Sequence, residues 1–334
     1  MRTLSIAILV AACSSHPGSS PETGIDAPGM TGDGGSGSGS GSNMMMAHDA
    51  TIFTIVMENH DYQEIVGSAG SAGSNSPGYV NAPYINSLIA KYGLATNYKD
   101  TEHPSTPNYL DLISGSNQYG GGIDVGPQTI FLFPTAQPNL ATQLEAANIK
   151  WRSYAEGAGS AGCQLNDTGE YVARHVPFLY FTDQQSGSGN LCADTNVDYS
   201  QFAADLATNN YRYMWITPNL LDDGHDPGLL PADFVTSLKQ SDTWLSQTLP
   251  AILASPGYTN GGVVFITWDE AEGRNGDDKD QIPMIVISPK LKAPGMNVTD
   301  PLTHSSYTAT VEDLLGLPRL GTVTNTPTLL GFFN

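Results

Sequence analysis

The chain has 334 residues, with 33 acidic side chains against 13 Lys plus Arg and a formal charge of −20. That balance excludes nucleic-acid binding through a basic surface and non-specific attraction to anionic lipid. A phosphate-bearing substrate would meet few protein cations, so metal ions would have to supply most of the positive field around it.

The N-terminus reads as an export signal. Arg2 supplies a short positive region and residues 4–12 an apolar stretch too short to span a bilayer. The stretch ends Leu9-Val10-Ala11-Ala12-Cys13, which resembles the bacterial lipoprotein cleavage box. That implies a signal peptide over 1–12, cleavage before Cys13, and lipid on its thiol and new amino group. An ordinary secretory signal is the alternative. Either way the mature chain is expected outside the cytoplasm, anchored to a membrane of the cell envelope or secreted. Residues 14–43 are rich in Gly and Ser with several Pro and Asp, carry a Gly-Ser repeat at 35–42, and cannot bury enough apolar surface to fold. With Cys13 they form an expected tether over 13–48, spanning about 30 Å as a coil. Residues 49–334 are long enough for one large domain with a substantial core.

Within that domain, β-branched apolar runs alternate with helix-like stretches. The predicted strands are 51–57, 94–98, 150–154, 213–216, 263–268 and 284–287. The predicted helices are 84–91, 107–113, 140–147, 199–207, 231–253 and 306–315. Pro231 and Asp233 mark the start of the fifth helix, and Pro250 predicts a kink or break near its end. The alternation predicts an α/β fold: a single domain with a mostly parallel central sheet and helices on both faces. Cys163 and Cys192 are expected to pair in an exported protein, closing a loop of about 30 residues worth about 3 kcal/mol in the chain-entropy model; two free thiols are the alternative.

Three of the runs end in acids or amides: 51–57 in Glu58-Asn59, 213–216 in Pro218-Asn219 and Asp222-Asp223-Gly224-His225-Asp226, and 263–268 in Asp269-Glu270. Ligands of open α/β sheets bind past the carboxyl ends of the strands, and oxygen donors with a few histidines suit a hard or borderline cation. Adjacent acids at Asp269-Glu270 repel unless a cation sits there. Taken singly, Glu58-Asn59 could be polar residues after a strand, and 222–226 a solvated turn. Ser105 lies just ahead of Pro107, at a helix start where free N–H groups favour an anion; it is a candidate nucleophile or an N-cap hydroxyl. His103 could contact a phosphate. His304 precedes the last helix as a functional or capping-region histidine. Residues 272–280, with Arg274 and Lys279, read as a charged loop beside the site.

Together these segments resemble the bacterial phosphoesterases that include secreted acid phosphatases and phosphatidylcholine-type phospholipases C, in the alkaline-phosphatase-like superfamily. The resemblance is carried by Val56-Met57-Glu58-Asn59-His60, His103-Pro104-Ser105-Thr106-Pro107-Asn108, Arg174-His175-Val176-Pro177-Phe178, Asn219-Leu220-Leu221-Asp222-Asp223-Gly224-His225-Asp226, Thr267-Trp268-Asp269-Glu270 and His304-Ser305-Ser306-Tyr307, in that order. It implies metal binding at Glu58, Asn59, Asp269 and Glu270, with Asp223 a further match. It implies Ser105 as nucleophile, Asn108 in its Ser-x-Pro-Asn setting as a substrate contact, and His103, His225 and His304 on phosphate or metal, with His225 and His304 also catalytic. The family's glycine-rich segment after Glu270 is replaced by Ala271-Glu272-Gly273-Arg274.

The implied activity is a metal-dependent phosphomonoesterase of acid-phosphatase type with a phosphoseryl intermediate, the divalent ion being Ca²⁺, Mg²⁺ or Zn²⁺. Stabilisation of phosphoryl charge falls to His103 and His225, and leaving-group protonation to His304. A phospholipase C acting on glycerophospholipids is the rival; the chain's end at Asn334, soon after the last motif, favours the phosphatase. A calcium-binding surface lipoprotein without turnover is the non-enzymatic reading. The expected partners are a phosphate ester and, through the lipid anchor, a membrane, with no nucleic acid, and the protein is expected to be a monomer.

Overall fold

A computed structural model describes residues 50–333, apart from 67–79, 118–121, 123, 130–131, 188, 190, 226–233 and 274–277. The export signal, Cys13 and the tether lie outside the described residues, as do Asp226, Pro231, Asp233 and Arg274.

The strands are β1 Ile52–Met57, β2 Gly93–Ala95, β3 Tyr98–Lys99, β4 Trp151–Ala155, β5 Asn196–Asp198, β6 Tyr213–Thr217, β7 Val263–Trp268, β8 Met284–Ile287, β9 Met296–Val298 and β10 Leu302–Thr303. Eight form one sheet in the order β5-β4-β6-β1-β7-β8-β2-β9, and β3 pairs with β10 apart from it. From β5 to β7 every pairing is parallel; β8 alone runs against its neighbours. This is the mostly parallel α/β architecture expected. Every residue of β1, β6, β7 and β8 is buried, as near-continuous apolar runs demand when both faces are covered.

Helices supply the cover. Ser105–Ser114 packs on His304–Leu315, and Pro83–Lys91 on Phe234–Ala254. The last helix is pinned to the sheet by Tyr307, whose hydroxyl meets Thr54 Oγ1 at 2.5 Å and the Tyr213 hydroxyl at 3.1 Å. No helix among the described residues is long and apolar enough to cross a membrane.

Some predicted elements are redrawn. The expected strand 94–98 is two strands, because a turn at Thr96-Asn97 takes the chain from the main sheet to the pairing with β10. The expected helix 199–207 opens as a 3₁₀ turn, Tyr199–Gln201, before Phe202–Thr208. The long helix runs through Pro250 to Ala254 without the expected break. Pro250 lies on the exposed face, where water can meet the carbonyl it leaves unbonded one turn earlier. Cys163 and Cys192 form the expected disulfide, with Cα atoms 5.2 Å apart. It staples a segment of short 3₁₀ turns that packs its own small core of Ala155, Tyr171, Val176, Leu179 and Cys192.

Candidate active site

The register of the sheet builds the site. Strands β1 and β7 are parallel neighbours with Met57 opposite Trp268, so Glu58-Asn59 and Asp269-Glu270 emerge side by side. The contact is direct: the Asn59 N–H donates to Asp269 Oδ1 at 3.1 Å. Asn59 makes the turn in the left-handed region at φ 43°, which Asn tolerates better than most residues. Behind it, Asp61 Oδ1 accepts the N–H groups of Glu272 (2.6 Å) and Gly273 (2.8 Å), while Asn59 Nδ2 donates to Glu272 Oε1 (3.0 Å). The segment after Glu270 therefore folds back onto the segment after β1.

Ser105 is the first residue of its helix, with Pro104 at the N-cap. Its hydroxyl donates to Glu270 Oε1 at 3.2 Å. Pro107 falls in the first turn, where an N–H would find no intrahelical partner. His103 Nδ1 lies 2.9 Å from Glu270 Oε2, and its Nε2 lies 3.1 Å from the Lys279 carbonyl. A carbonyl can only accept, so Nε2 carries hydrogen, and a further proton sits in the contact between Nδ1 and Glu270.

Burial governs the charge of these acids. The Glu58 carboxyl is pushed well above the usual range by burial first, then by Asp269 and Asp223. Burial raises Asp269 to about 7, against the Asn59 N–H, which favours the anion. Glu270 rises to about 9 through burial and the neighbouring Asp269 charge. Asp100 rises to about 8, again chiefly by burial, although its Oδ2 accepts the Ala271 N–H at 2.9 Å.

Two site residues take places that the sequence reading did not give them. His304 is fully buried, with Nε2 2.7 Å from the Asp269 carbonyl and Nδ1 3.0 Å from the Tyr98 hydroxyl. The carbonyl fixes the proton on Nε2, and burial lowers the ring to about 4, so it is a neutral group. It pins the chain just past β7 from beneath and has no nitrogen left for a leaving group. Asn108 is also fully buried: its Oδ1 accepts the N–H groups of Thr101 (2.9 Å) and Glu102 (3.1 Å), and its Nδ2 donates to the Glu102 carbonyl and to Glu270 Oε2 (3.4 Å). It ties the chain ahead of Ser105 to Glu270, its side-chain oxygen and nitrogen both engaged within the protein.

Tyr109 and His175 enter without a role foreseen for them, beside the predicted Asp223 and His225. Tyr109, one turn beyond Ser105, donates its hydroxyl to Glu58 Oε1. His175 stacks on Tyr109 with ring centroids 5.2 Å apart, placing Nε2 3.4 Å from Glu58 Oε1 and Nδ1 3.7 Å from Asp223 Oδ2. Asp223 is brought in by its carbonyl, which accepts the Glu58 N–H at 2.9 Å, and its Oδ1 accepts the His225 N–H at 2.8 Å. His225 itself is exposed at the rim. The turn between them is held by His60, whose Nε2 lies 2.9 Å from the Gly224 carbonyl. Gly224 has φ 104°, and a Cβ there would lie 3.2 Å from His60 Cδ2, so no larger residue suits it.

The sequence-predicted Glu58, Asn59, Ser105, Asp269 and Glu270 thus converge. Two observations fit a divalent cation among them. Their donors are oxygens throughout, and Asp269 Oδ2 is buried with no hydrogen-bond partner among the described residues.

The fold is similar to that of solved structures in the alkaline phosphatase superfamily. A superfamily protein from Vibrio parahaemolyticus superposes with a TM-score of 0.56 at 12% identity, covering 83% of this chain and 69% of that one. A phosphonate monoester hydrolase from Silicibacter pomeroyi gives 0.52 at 12%, covering 85% and 76%. At such identities the likeness is one of fold. The chain belongs to the Phosphoesterase family, whose profile matches residues 78–318. It is 29% identical over 282 residues to the phosphatidylinositol-3-phosphatase of Mycobacterium tuberculosis, covering 83% of this chain and 81% of that one. It is 26% identical to a probable acid phosphatase of Kluyveromyces lactis, covering 80% of this chain but only 59% of the yeast protein. The protein is a phosphoric ester hydrolase.

Proposed function

We propose that the protein is an exported, metal-dependent phosphomonoesterase of acid-phosphatase type that uses Ser105 as its nucleophile. The observation that carries this reading is the Ser105 hydroxyl at the start of a buried helix, 3.2 Å from Glu270 and beside the acids of β1 and β7. A divalent cation held by Glu58, Asn59, Asp269 and Glu270 would supply Lewis acidity that lowers the pKa of the serine hydroxyl and offsets phosphoryl charge.

The chain's own groups do the rest. Ser105 passes its proton to Glu270 Oε1, the acceptor it already meets, as Oγ bonds to phosphorus and the ester P–O bond breaks. Free N–H groups at the helix start stabilise the phosphoryl oxygens, with His103 on one side and the exposed His225 on the other. The proton held between His103 and Glu270 is the one nearest to hand for the departing alkoxide. Water then attacks the phosphoserine, phosphate leaves, and Oγ regains its proton. His304 and Asn108 hold Asp269 and Glu270 in place.

The experiment is phosphate release from a small aryl phosphomonoester by purified protein, before and after chelation and with Ca²⁺, Mg²⁺ or Zn²⁺ restored. Loss on chelation and recovery with one ion is expected; hydrolysis indifferent to chelator would reject the metal. A phosphoinositide monoester should also be cleaved, as the name of the mycobacterial relative suggests. Release of a phosphorylated head group from a phosphodiester lipid would instead favour phospholipase C. Export is supported by the Cys163–Cys192 disulfide, a bond of oxidising compartments. For the lipid anchor, Cys13→Ala should move the protein from the membrane fraction to the soluble one.

A further inference from the structure

The charges of this domain are sorted along the strands. The chain leaving β1, β6 and β7 carries Glu58, Asp61, Asp222, Asp223, Asp269 and Glu270. The other edge of the sheet is its opposite. Residues 88–92, 147–150, 208–212, 254–262 and 288–295 lead into β2, β4, β6 and β7 and join β8 to β9; they contain Lys91, Lys150, Arg212, Lys290 and Lys292 and no acid. We propose that this basic edge is a docking surface for an anionic lipid bilayer. The inference depends neither on the metal nor on Ser105.

Backbone pairing sets these cations in a row. The Arg212 N–H donates to the Lys150 carbonyl, and the Ile52 N–H to the Arg212 carbonyl, both at 2.8 Å. Lys290 follows β8, whose antiparallel course returns the chain to this edge beside Gly261. Lys91 and Lys292 precede β2 and β9, which are parallel neighbours. From β4 to β9 the row spans about 30 Å at the usual strand spacing. Lys91, Lys150, Lys290 and Lys292 are exposed, and among the described residues no carboxylate pairs with any of them. Arg152, in β4, is offset by Asp205 at 2.6 Å, and Asp194 precedes the edge strand β5, outside the row. Tyr92 and Tyr211 stand half-buried in the same segments, an amphipathic residue type suited to the boundary between water and lipid.

The formal charge of −20 excludes attraction to anionic lipid only where charge is spread evenly, and here it is not. The six residues of β1 hold the two edges about 20 Å apart. Screening in physiological salt acts over about 8 Å. A surface at the basic edge therefore meets the lysines and little of the acids' field. The point of entry of the chain is the second support. Ala50, the first described residue, lies at this edge, its carbonyl accepting Arg212 Nη2 at 3.3 Å. The sequence that reads as an anchored tether thus joins the domain at the basic edge. Anchor and lysines then act on one bilayer, and the acids near Ser105 stand at the opposite ends of the strands, toward the water.

The test is cosedimentation of the full chain with vesicles, in a Cys13→Ala background so that an anchor cannot mask weaker binding. Vesicles of phosphatidylglycerol and phosphatidylcholine in equal parts should carry the protein down, phosphatidylcholine alone should not, and added salt should release it. Lys91→Gln, Lys150→Gln, Lys290→Gln and Lys292→Gln together should weaken binding about fivefold per lysine and leave aryl phosphate hydrolysis unchanged. Acetylation of lysines, read by mass spectrometry, reports the orientation: anionic vesicles should protect those four and leave the exposed Lys239 and Lys279 reactive. Equal vesicle binding by the fourfold variant, or equal protection of every lysine, would overturn the proposal. Retention on heparin with no vesicle binding would overturn it too, giving the edge a polysaccharide partner instead. None of these outcomes bears on whether Ser105 attacks a phosphate ester.

Discussion

Glu58 and Asp269 directly follow strands β1 and β7; His175 stands on a 3₁₀ turn inside the disulfide-closed segment. These acids are positioned by the backbone pairing of β1 and β7 that they follow, where every residue is buried and each hydrogen bond reinforces the next. His175 has no ladder behind it. It is held by stacking on Tyr109, by a small satellite core and by the Cys163–Cys192 bridge. A site can thus combine a rigid half that fixes reacting groups and a stapled half that tunes them, and the two should respond differently to damage.

The largest effect is expected where the rigid half meets the chemistry. Ser105→Ala should lower kcat by at least about 10³-fold with the fold intact, read by aryl phosphate hydrolysis and far-UV circular dichroism. Near wild-type turnover would remove Ser105 from its role. Asp269→Asn should follow, at about 10²- to 10³-fold, with weaker binding of the activating ion seen by calorimetry. Replacing both Cys163 and Cys192 by Ser should cost about 3 kcal/mol of stability in denaturant unfolding, but less activity than Asp269→Asn. If the double Cys variant loses as much activity as Asp269→Asn, the division into two halves is wrong.

The smallest expected effect is on melting temperature. In the folded chain the carboxyls of Asp269, Asp100 and Glu270 are raised to about 7, 8 and 9. They return to ordinary carboxylate values on unfolding, so between about pH 4 and 9 the folded chain holds more protons than the unfolded one. Stability of the chelated protein should therefore be greatest at the acid end and fall as pH rises through that window. A divalent ion should restore it, most at the alkaline end. A chelated melting profile that rises with pH would show that these acids are compensated by something other than protons or metal.

The same division explains what could be read from the sequence. Acids directly after long buried apolar runs were legible, because a run of six buried residues gives both the strand and its end. Ser105 was legible through Pro107, a helix-start signal. Tyr109 carried a usable signal, since it sits four residues after Ser105 on the same helical face. His175 had none of its own: three-residue 3₁₀ turns show no periodicity, and the matching Arg174-His175 segment names a neighbourhood without a role. Strands of two or three residues, such as β3, β5, β9 and β10, escaped for the same reason. His304 and Asn108 were placed correctly in the chain, but residue type cannot tell a group that touches substrate from one that props up its neighbour.

The alignment of Met57 with Trp268 has a consequence for how this enzyme can change. Side chains alternate along a strand, so one added or deleted residue in β1 or β7 would send its terminal acids to the opposite face. On the proposed mechanism, strand length at these two positions matters as much as the acids themselves. Substitutions can be absorbed along both strands, but a single-codon insertion between residues 52 and 57, or 263 and 268, should leave a folded sheet and a dead enzyme.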